Sequence, residues 1–278
     1  MNPPTLAAVE LRCPDLERSR AFFVDVLGLL ESDTADGEVS LRCVGESAHT
    51  SVVLRASDTP GLAAVVLHDR DGAENWPAAT SDGHQLRVVG ERQQAEPYQG
   101  ERVILNQPTP LRGVGIEPRR LAHVGLTATD PAAAAAWWQE QLGYALRESV
   151  ADDEGELLST LSTTPASCEV MLVRSANDNG GGLHHVAFTV DQRDRIADAA
   201  LLFAELAVPV EVGLGQHGVG QLSYIYFFEP SGNRLALIHS PLWWDAGAPP
   251  VRWPPESWRR ALWLWGAPPP SSFLEVHT

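Results

Sequence analysis

The second half of this 278-residue sequence gathers His123, His184, His185, His217, Tyr224, Tyr226 and Cys168. Imidazole changes charge near neutral pH and is the commonest metal ligand, so such a set can hold a divalent ion, move protons, or do both. Side chains alternate along a strand, which places His123 on one face of its strand and sends His184 and His185 to opposite faces. One histidine from each of two distant strands is how a cupped sheet builds a site in its concavity. Each residue also has a plainer role. A single histidine is more often structural than a ligand, and His184 suits a hydrogen bond on the outer face of its strand. Tyr224, alternating with Tyr226, suits the core, and Cys168 suits an inert buried thiol. His68 and His84, in the first half, read as surface or loop histidines.

The elements that must position these groups come in two copies. Leu6-Ala7-Ala8-Val9-Glu10-Leu11 repeats as Leu121-Ala122-His123-Val124-Gly125-Leu126, an offset of 115 positions. The same offset carries Asp15 onto Asp130, Phe22-Phe23 onto Trp137-Trp138, and Leu27-Gly28 onto Leu142-Gly143. Each copy predicts a strand, an aspartate that caps a helix, and an amphipathic helix ending at glycine. Strand-like runs follow at 39–44 and 51–55, and again at 156–161 and 168–174, completing a βαβββ unit. A second unit opens where Gly61-Leu62-Ala63-Ala64-Val65 matches Gly182-Leu183-His184-His185-Val186. In the second half it continues as a helix over 193–207, a strand over 222–228, the turn Glu229-Pro230-Ser231-Gly232 and a last strand over 234–239. The first half is abridged, because Gly61 to Gly83 spans 22 positions where Gly182 to Gly232 spans 50; one helix and one strand are expected to be missing. At the positions of His123 and His185 the first half carries Ala8 and Ala64, so the fold itself does not require the imidazoles. The expected class is α+β: tandem βαβββ modules forming two cupped mixed sheets. The expected boundaries are a first module pair over 1–106, a linker over 107–118, a site-bearing pair over 119–240 and a tail over 241–278.

The tail holds six of the nine tryptophans, interleaved with prolines. Such a segment is expected to pack across the body and close over a pocket rather than form one regular element. A net charge of −16 argues against nucleic acid or an anionic membrane as partner. No apolar run is long enough to span a bilayer, and no signal peptide is evident. Three cysteines, Cys13, Cys43 and Cys168, make no disulfide framework, and a reducing cytoplasm fits them.

Gly215-Gln216-His217, seven residues, then Ile225-Tyr226-Phe227-Phe228-Glu229-Pro230-Ser231-Gly232-Asn233-Arg234-Leu235 follow a known signature. It runs glycine, any residue, histidine, a short gap, aliphatic, tyrosine, two residues, acidic, proline, any residue, glycine, then a glutamate. On these residues the chain resembles the extradiol ring-cleaving dioxygenases of the vicinal oxygen chelate (glyoxalase, bleomycin resistance, dioxygenase) superfamily, over essentially its whole length. The resemblance implies that superfamily's fold and, by analogy, homo-oligomers. It implies Fe(II) held by two histidines and a glutamate, a facial triad open to catecholate and dioxygen. The two histidine ligands fall on His123 and His185, and the histidine and tyrosine that contact substrate fall on His217 and Tyr226. The glutamate falls on Ala236, which ligates nothing, and the family's acid–base histidine falls on Cys168, a thiol in place of the group that titrates near neutrality.

Without the carboxylate a divalent ion keeps its full charge and a weak hold on the protein, and neither His239 nor Glu229 offers a replacement. Three functions are therefore open. The first is an enzyme without metal, using His123, His185, His217 and Tyr226 on a phenolic or polyketide-like molecule to cyclise, isomerise or rearrange it, with Cys168, His184 and Tyr224 lining the substrate. The second is a metal-dependent oxygenase with a two-histidine Fe(II) site and an exogenous third ligand. The third is a non-catalytic protein that sequesters an aromatic compound, for example in self-resistance.

Overall fold

A computed structural model describes residues 2–72, 75–96, 113–176, 180–240, 242–245 and 247–278. The first half runs β1 (Thr5–Cys13), α1 (Leu16–Ala21), β2 (Leu30–Ala35), β3 (Glu38–Arg42), β4 (Val52–Ala56), β5 (Gly61–His68) and β6 (Leu86–Val89). The second runs β7 (Arg120–Ala128), α2 (Pro131–Leu142), β8 (Ala145–Asp152), β9 (Gly155–Ser162), β10 (Val170–Arg174), β11 (Leu183–Thr189), α3 (Asp194–Glu205), β12 (Val210–Gln216), β13 (Ser223–Phe228) and β14 (Arg234–His239). The tail adds β15 (Val251–Trp253), α4 (Trp258–Leu262) and α5 (Ser272–Glu275).

Two mixed sheets result, ordered β2-β3-β4-β1-β5-β6 and β12-β13-β14-β11-β7-β10-β9-β8-β15. The internal repeat is visible in the pairing. β1 lies parallel to β4 and antiparallel to β5, as β7 lies to β10 and β11. β5 lies parallel to β6 as β11 does to β14. Two strands, β12 and β13, and the helix α3 have no counterpart among the described residues of the first half. The expected single missing strand is thus corrected to two. β12 escapes a period-2 reading because Gly213 and Gly215 interrupt it and its pairing to β13 shifts register twice.

The repeated aspartates cap as their position requires: Asp15 accepts from the Arg18 amide, and Asp130 from those of Ala132 and Ala133. α2 ends on Gly143 in the left-handed conformation at φ 71°, where glycine carries no Cβ penalty. The two helices then differ. α1 continues as a π-turn over Phe22–Val26 that buries both Phe22 and Phe23, whereas α2 stays regular and buries Trp138 more deeply than Trp137. One apolar core joins the helices to the sheets of both halves. A polar clasp crosses between the halves: buried Glu229 accepts from the Ser19 hydroxyl at 2.6 Å, and Asn233 Oδ1 accepts from the Gly61 amide at 2.8 Å. Of the expected linker, 107–112 lies outside the described residues, and the amides of Ile116 and Glu117 bond to Val26 and Leu27 of the first half. No described helix is long and apolar enough to cross a membrane.

The tail wraps the second sheet. β15 pairs parallel with β8, Ala261 and Leu262 join an apolar cluster with Met171 and Val219, and Phe273 joins another with Tyr226 and Ala236.

Candidate active site

β7 and β11, the antiparallel pair at the centre of the larger sheet, bring His123 and His185 together. Their Nε2 atoms stand 2.9 Å apart and their rings meet edge to face. The register pairs Leu183 with Leu126 and His185 with Gly125, so His184 is the extra residue of a bulge. A bulge breaks the alternation of faces. His184 therefore stands beside His185, Nδ1 to Nδ1 at 2.7 Å, rather than facing away on the outer side as the sequence predicts. The ring of His185 lies over Gly125, where a Cβ would come within 2.4 Å of Nδ1. The first half has Glu10 at that position. Gly125 makes room for the imidazole, and a glycine inside a strand is the signal that could have found it.

Hydrogen-bond direction fixes the tautomers. His184 Nε2 lies 2.8 Å from the carbonyl of Phe273, which can only accept, so the proton sits on His184 Nε2. In the neutral ring His184 Nδ1 must then accept, and His185 Nδ1 donates to it. His185 Nε2 in turn accepts from His123 Nε2–H. The chain ends at His123 Nδ1, which carries a lone pair, is buried and has no partner. Burial, reinforced by neighbouring imidazoles, holds the rings neutral: His123 is pushed down to about 3, and His184 and His185 fall well below the usual histidine range.

A second pair stands beside the first. His217 Nδ1 donates to the carbonyl of Leu262 in the tail, so its Nε2 accepts the hydroxyl of Tyr226 at 3.0 Å. Burial lowers His217 to about 4 and raises the Tyr226 phenol far above its usual value. Tyr224 stacks on His217 with centroids 4.0 Å apart and supports that ring from behind. Cys168 packs with Val150, Leu157 and Met171, and burial, aided by Glu169 and Glu148, raises its thiol well above the usual range; it stays protonated and is no nucleophile. His84 is buried rather than on the surface, bonded to Thr80 Oγ1 and to the Gly182 carbonyl. His68 is partly exposed, and burial lowers it.

The tail closes this cup. Leu262 and Phe273, with His184, His217, Tyr226 and Met171, line an apolar cavity of about 20 Å³, the size of one water. A ligand enters there only if the tail moves. The tail's two carbonyls, invisible in a sequence, thus set two of the four imidazole tautomers.

The donor set matches the iron site that the resemblance implies only in part. The His123–His185 separation of 2.9 Å suits two imidazoles on adjacent positions of one ion, each at about 2.0–2.1 Å. The third position does not fit. Ala236 pairs with Tyr226 and Ala187 and is walled by Tyr224 and Phe273. Among the described residues no three His, Cys, Asp or Glu side chains converge to hold a metal.

Paired βαβββ modules with histidines at the centre of the second cup define a class. Residues 120–237 match the model of the Glyoxalase/Bleomycin resistance protein/Dioxygenase superfamily, and the chain carries a domain of that family in the vicinal oxygen chelate fold. It is similar to metapyrocatechase of Geobacillus stearothermophilus, 28% identical over 95% of this chain and 93% of the relative. It is similar also to manganese-dependent 2,3-dihydroxybiphenyl 1,2-dioxygenase of Geobacillus genomosp. 3, 27% identical over 94% of this chain and 92% of the relative. In fold it resembles homoprotocatechuate 2,3-dioxygenase of Arthrobacter globiformis, with a TM-score of 0.85 at 22% identity, covering 100% of this chain and 92% of that one. Its relatives are extradiol dioxygenases.

One substitution probes the cup directly. Gly125→Ala places a methyl on the His185 ring and breaks the histidine chain, at an expected cost of about 1–3 kcal/mol for overpacking. Urea unfolding with nitrogen-detected NMR of the imidazoles checks it: the His185 tautomer becomes mixed, while a variant that keeps one tautomer shows that the ring is held by something else.

Proposed function

We propose that this protein is a divergent, extradiol-dioxygenase-like enzyme that acts on a phenolic or polyketide-like molecule by proton transfer, without ring cleavage at Fe(II). The observation that carries this reading is the donor set. Four of the six positions that the resemblance assigns keep their residues, as two hydrogen-bonded pairs, and the other two, the metal carboxylate and the acid–base histidine, are Ala236 in an apolar wall and the buried thiol of Cys168.

The chemistry follows from the tautomers. His123 Nδ1 is the one open acceptor of the cluster, placed to take a proton from a phenol or an activated C–H. As that proton arrives, His123 Nε2–H passes to His185 and His185 Nδ1–H passes to His184. The positive charge then rests on His184, whose Nε2–H already meets a carbonyl. A cation costs much in this buried setting, where Arg234 also opposes it, and the phenolate left at the His123 end of the chain offsets part of that cost. Tyr226 gives its hydroxyl to His217 and meets the His185 ring edge to face; it lines the small cavity under the tail and reaches a substrate oxygen there only when the tail moves. The chain contains no lysine, so an imine to a lysine side chain is not available.

Deuterium exchange tests this. Protein freed of metal by a chelator is incubated with 1,3-dihydroxynaphthalene in D₂O, and the ring protons beside the hydroxyls are followed by NMR. The expected result is exchange well above the buffer rate, reduced at least about tenfold in His123→Phe. Tight binding without exchange favours sequestration, and exchange or oxygen uptake only after adding Fe(II) or Mn(II) overturns the metal-free reading.

A further inference from the structure

The last part of the tail is seated in the cup by a single side chain. Among the described residues 263–278, only Phe273 is buried, and 264–268, 270 and 271 are exposed. Its ring meets His184 and Tyr226 edge to face, with centroids 4.9 and 4.8 Å apart. The Arg234 guanidinium stands over that ring at 5.3 Å, and Ala187 and Ala236 belong to the same cluster. An imidazole and a phenol set edge to face, with a cation nearby, make a seat for an aromatic ring. We propose that Phe273 is an internal occupant of the ligand's place. It shuts the cup when no ligand is present, and an aromatic molecule enters by taking over its seat. This regulation rests on the reading of the cup as a site for an aromatic molecule.

Space leaves no other arrangement for a ring in the cup. The cavity left around Phe273 is about 20 Å³, room for one water and far below the roughly 300–1,000 Å³ of ordinary ligand sites. His184, His217 and Tyr226 all line it, so no ligand ring reaches those three while Phe273 is in place. Phenylalanine fills the seat but carries no hydroxyl. A phenolic ring makes the same edge-to-face contacts and adds a hydrogen bond, which lets it compete with a side chain tethered beside the site. A closed tail lowers the apparent affinity by the fraction of molecules that are open.

The chain around Phe273 can lift. α5 has four residues, too few to be stable as a helix by itself. Before it the main chain is pinned to β12, Leu264 N to Gln216 O at 2.6 Å and Gln216 N to Trp265 O at 3.1 Å. Gly266 then takes φ 105°, a conformation that favours glycine, and the exposed stretch through Ser271 follows. Beyond it the segment hangs from partly buried polar groups. Arg234 donates to the carbonyls of Ser272 and Val276, Ser272 Oγ donates to Glu211, and Thr278 pairs with Leu183. Water can replace those bonds, whereas only another apolar group can replace the buried ring. The Phe273 carbonyl takes the His184 Nε2–H, so the ring and the histidine chain are released together.

Binding of 1,3-dihydroxynaphthalene to the full chain and to Phe273→Ala is measured by titration calorimetry, while amide hydrogen exchange follows residues 273–278. The expected result is that ligand speeds exchange of these amides in the native protein. Phe273→Ala is expected to bind at least about tenfold more tightly, because no ring competes for the seat. Phe273→Leu, which fills the seat without an aromatic ring, carries the test if the alanine variant does not fold, with a smaller gain. Ligand bound to the native chain with tail amides unchanged or slowed overturns the plug and leaves the aromatic reading standing, as does equal affinity of native and variant. Tighter binding by the variant with no change in the native tail marks an engineered void and overturns the plug too. No binding by either protein overturns the aromatic reading and the plug with it.

Discussion

Replacing Arg234 by alanine is expected to lower the unfolding free energy by about 3–5 kcal/mol, the cost of leaving one member of a buried ion pair alone. Arg234 is 2% exposed and Glu211 is comparably buried across from it on β12, joined by two bonds, Nε to Oε2 at 2.5 Å and Nη2 to Oε1 at 2.9 Å. The remaining donors of the guanidinium reach the carbonyls of His184, Val276 and Ser272, and Phe228 and Phe273 lie against its faces. One side chain therefore ties the bulge that carries the paired histidines to the tail that covers them. Lysine keeps the charge but not the fork, so Arg234→Lys should recover only part of the loss. Urea unfolding gives the magnitude, and amide hydrogen exchange over 270–278 reports the tail. A change below about 1 kcal/mol with unaltered tail protection would show that the tail is held by its apolar contacts alone.

Stability is also expected to fall steeply as pH drops below about 6.5. At higher pH His123 and His217 are neutral in both the folded and the unfolded chain, and their full contribution is present. Below it the unfolded chain takes up protons at an ordinary histidine pKa, while the folded protein resists until about 4 at His217 and about 3 at His123. Each imidazole thus removes about 1.4 kcal/mol per pH unit across its window, or roughly 3 kcal/mol by pH 4. His184 and His185, depressed for the same reason, act in the same direction. Glu148, raised by burial, binds its proton more readily when folded and offsets part of the loss. Against a typical stability of about 5–15 kcal/mol, the protein should unfold before pH 4. Urea midpoints from pH 7.5 to 4.5 measure the slope, and His217→Asn should make it shallower by about 1.4 kcal/mol per pH unit. A flat profile would mean that the imidazoles are solvated in the native state.

Much of this was legible in the residues because it rests on periodicity and on a repeat. The 115-residue offset placed β1 beside β7 and α1 beside α2, and Ala8 and Ala64 marked His123 and His185 as additions to the fold. The His217–Tyr226 pair followed from the spacing of one strand-turn-strand motif. The rest depends on features that a sequence does not record. The bulge at His184 breaks the alternation from which faces are read, and β12 is hidden by its glycines and its two register shifts. The tautomers are set by backbone carbonyls of Leu262 and Phe273, and any residue supplies a carbonyl. Arg234 sits in plain view within the signature, yet its burial against Glu211 is a tertiary fact. The tail was expected to close over a pocket from its tryptophans, but it is Phe273 and Leu262 that enter the cup, while Trp243 and Trp265 stay largely exposed.

The most direct test of a site that works without metal is its metal content. Protein purified anaerobically and loaded with Fe(II) or Mn(II), then desalted, is assayed by elemental analysis beside His123→Ala and His185→Ala. Two neutral imidazoles facing an alanine predict far less than one ion per chain, with no difference between the native protein and the variants. One ion per chain, lost in either variant, would contradict that account and place a metal, completed by a ligand from outside the chain, at the centre of the chemistry.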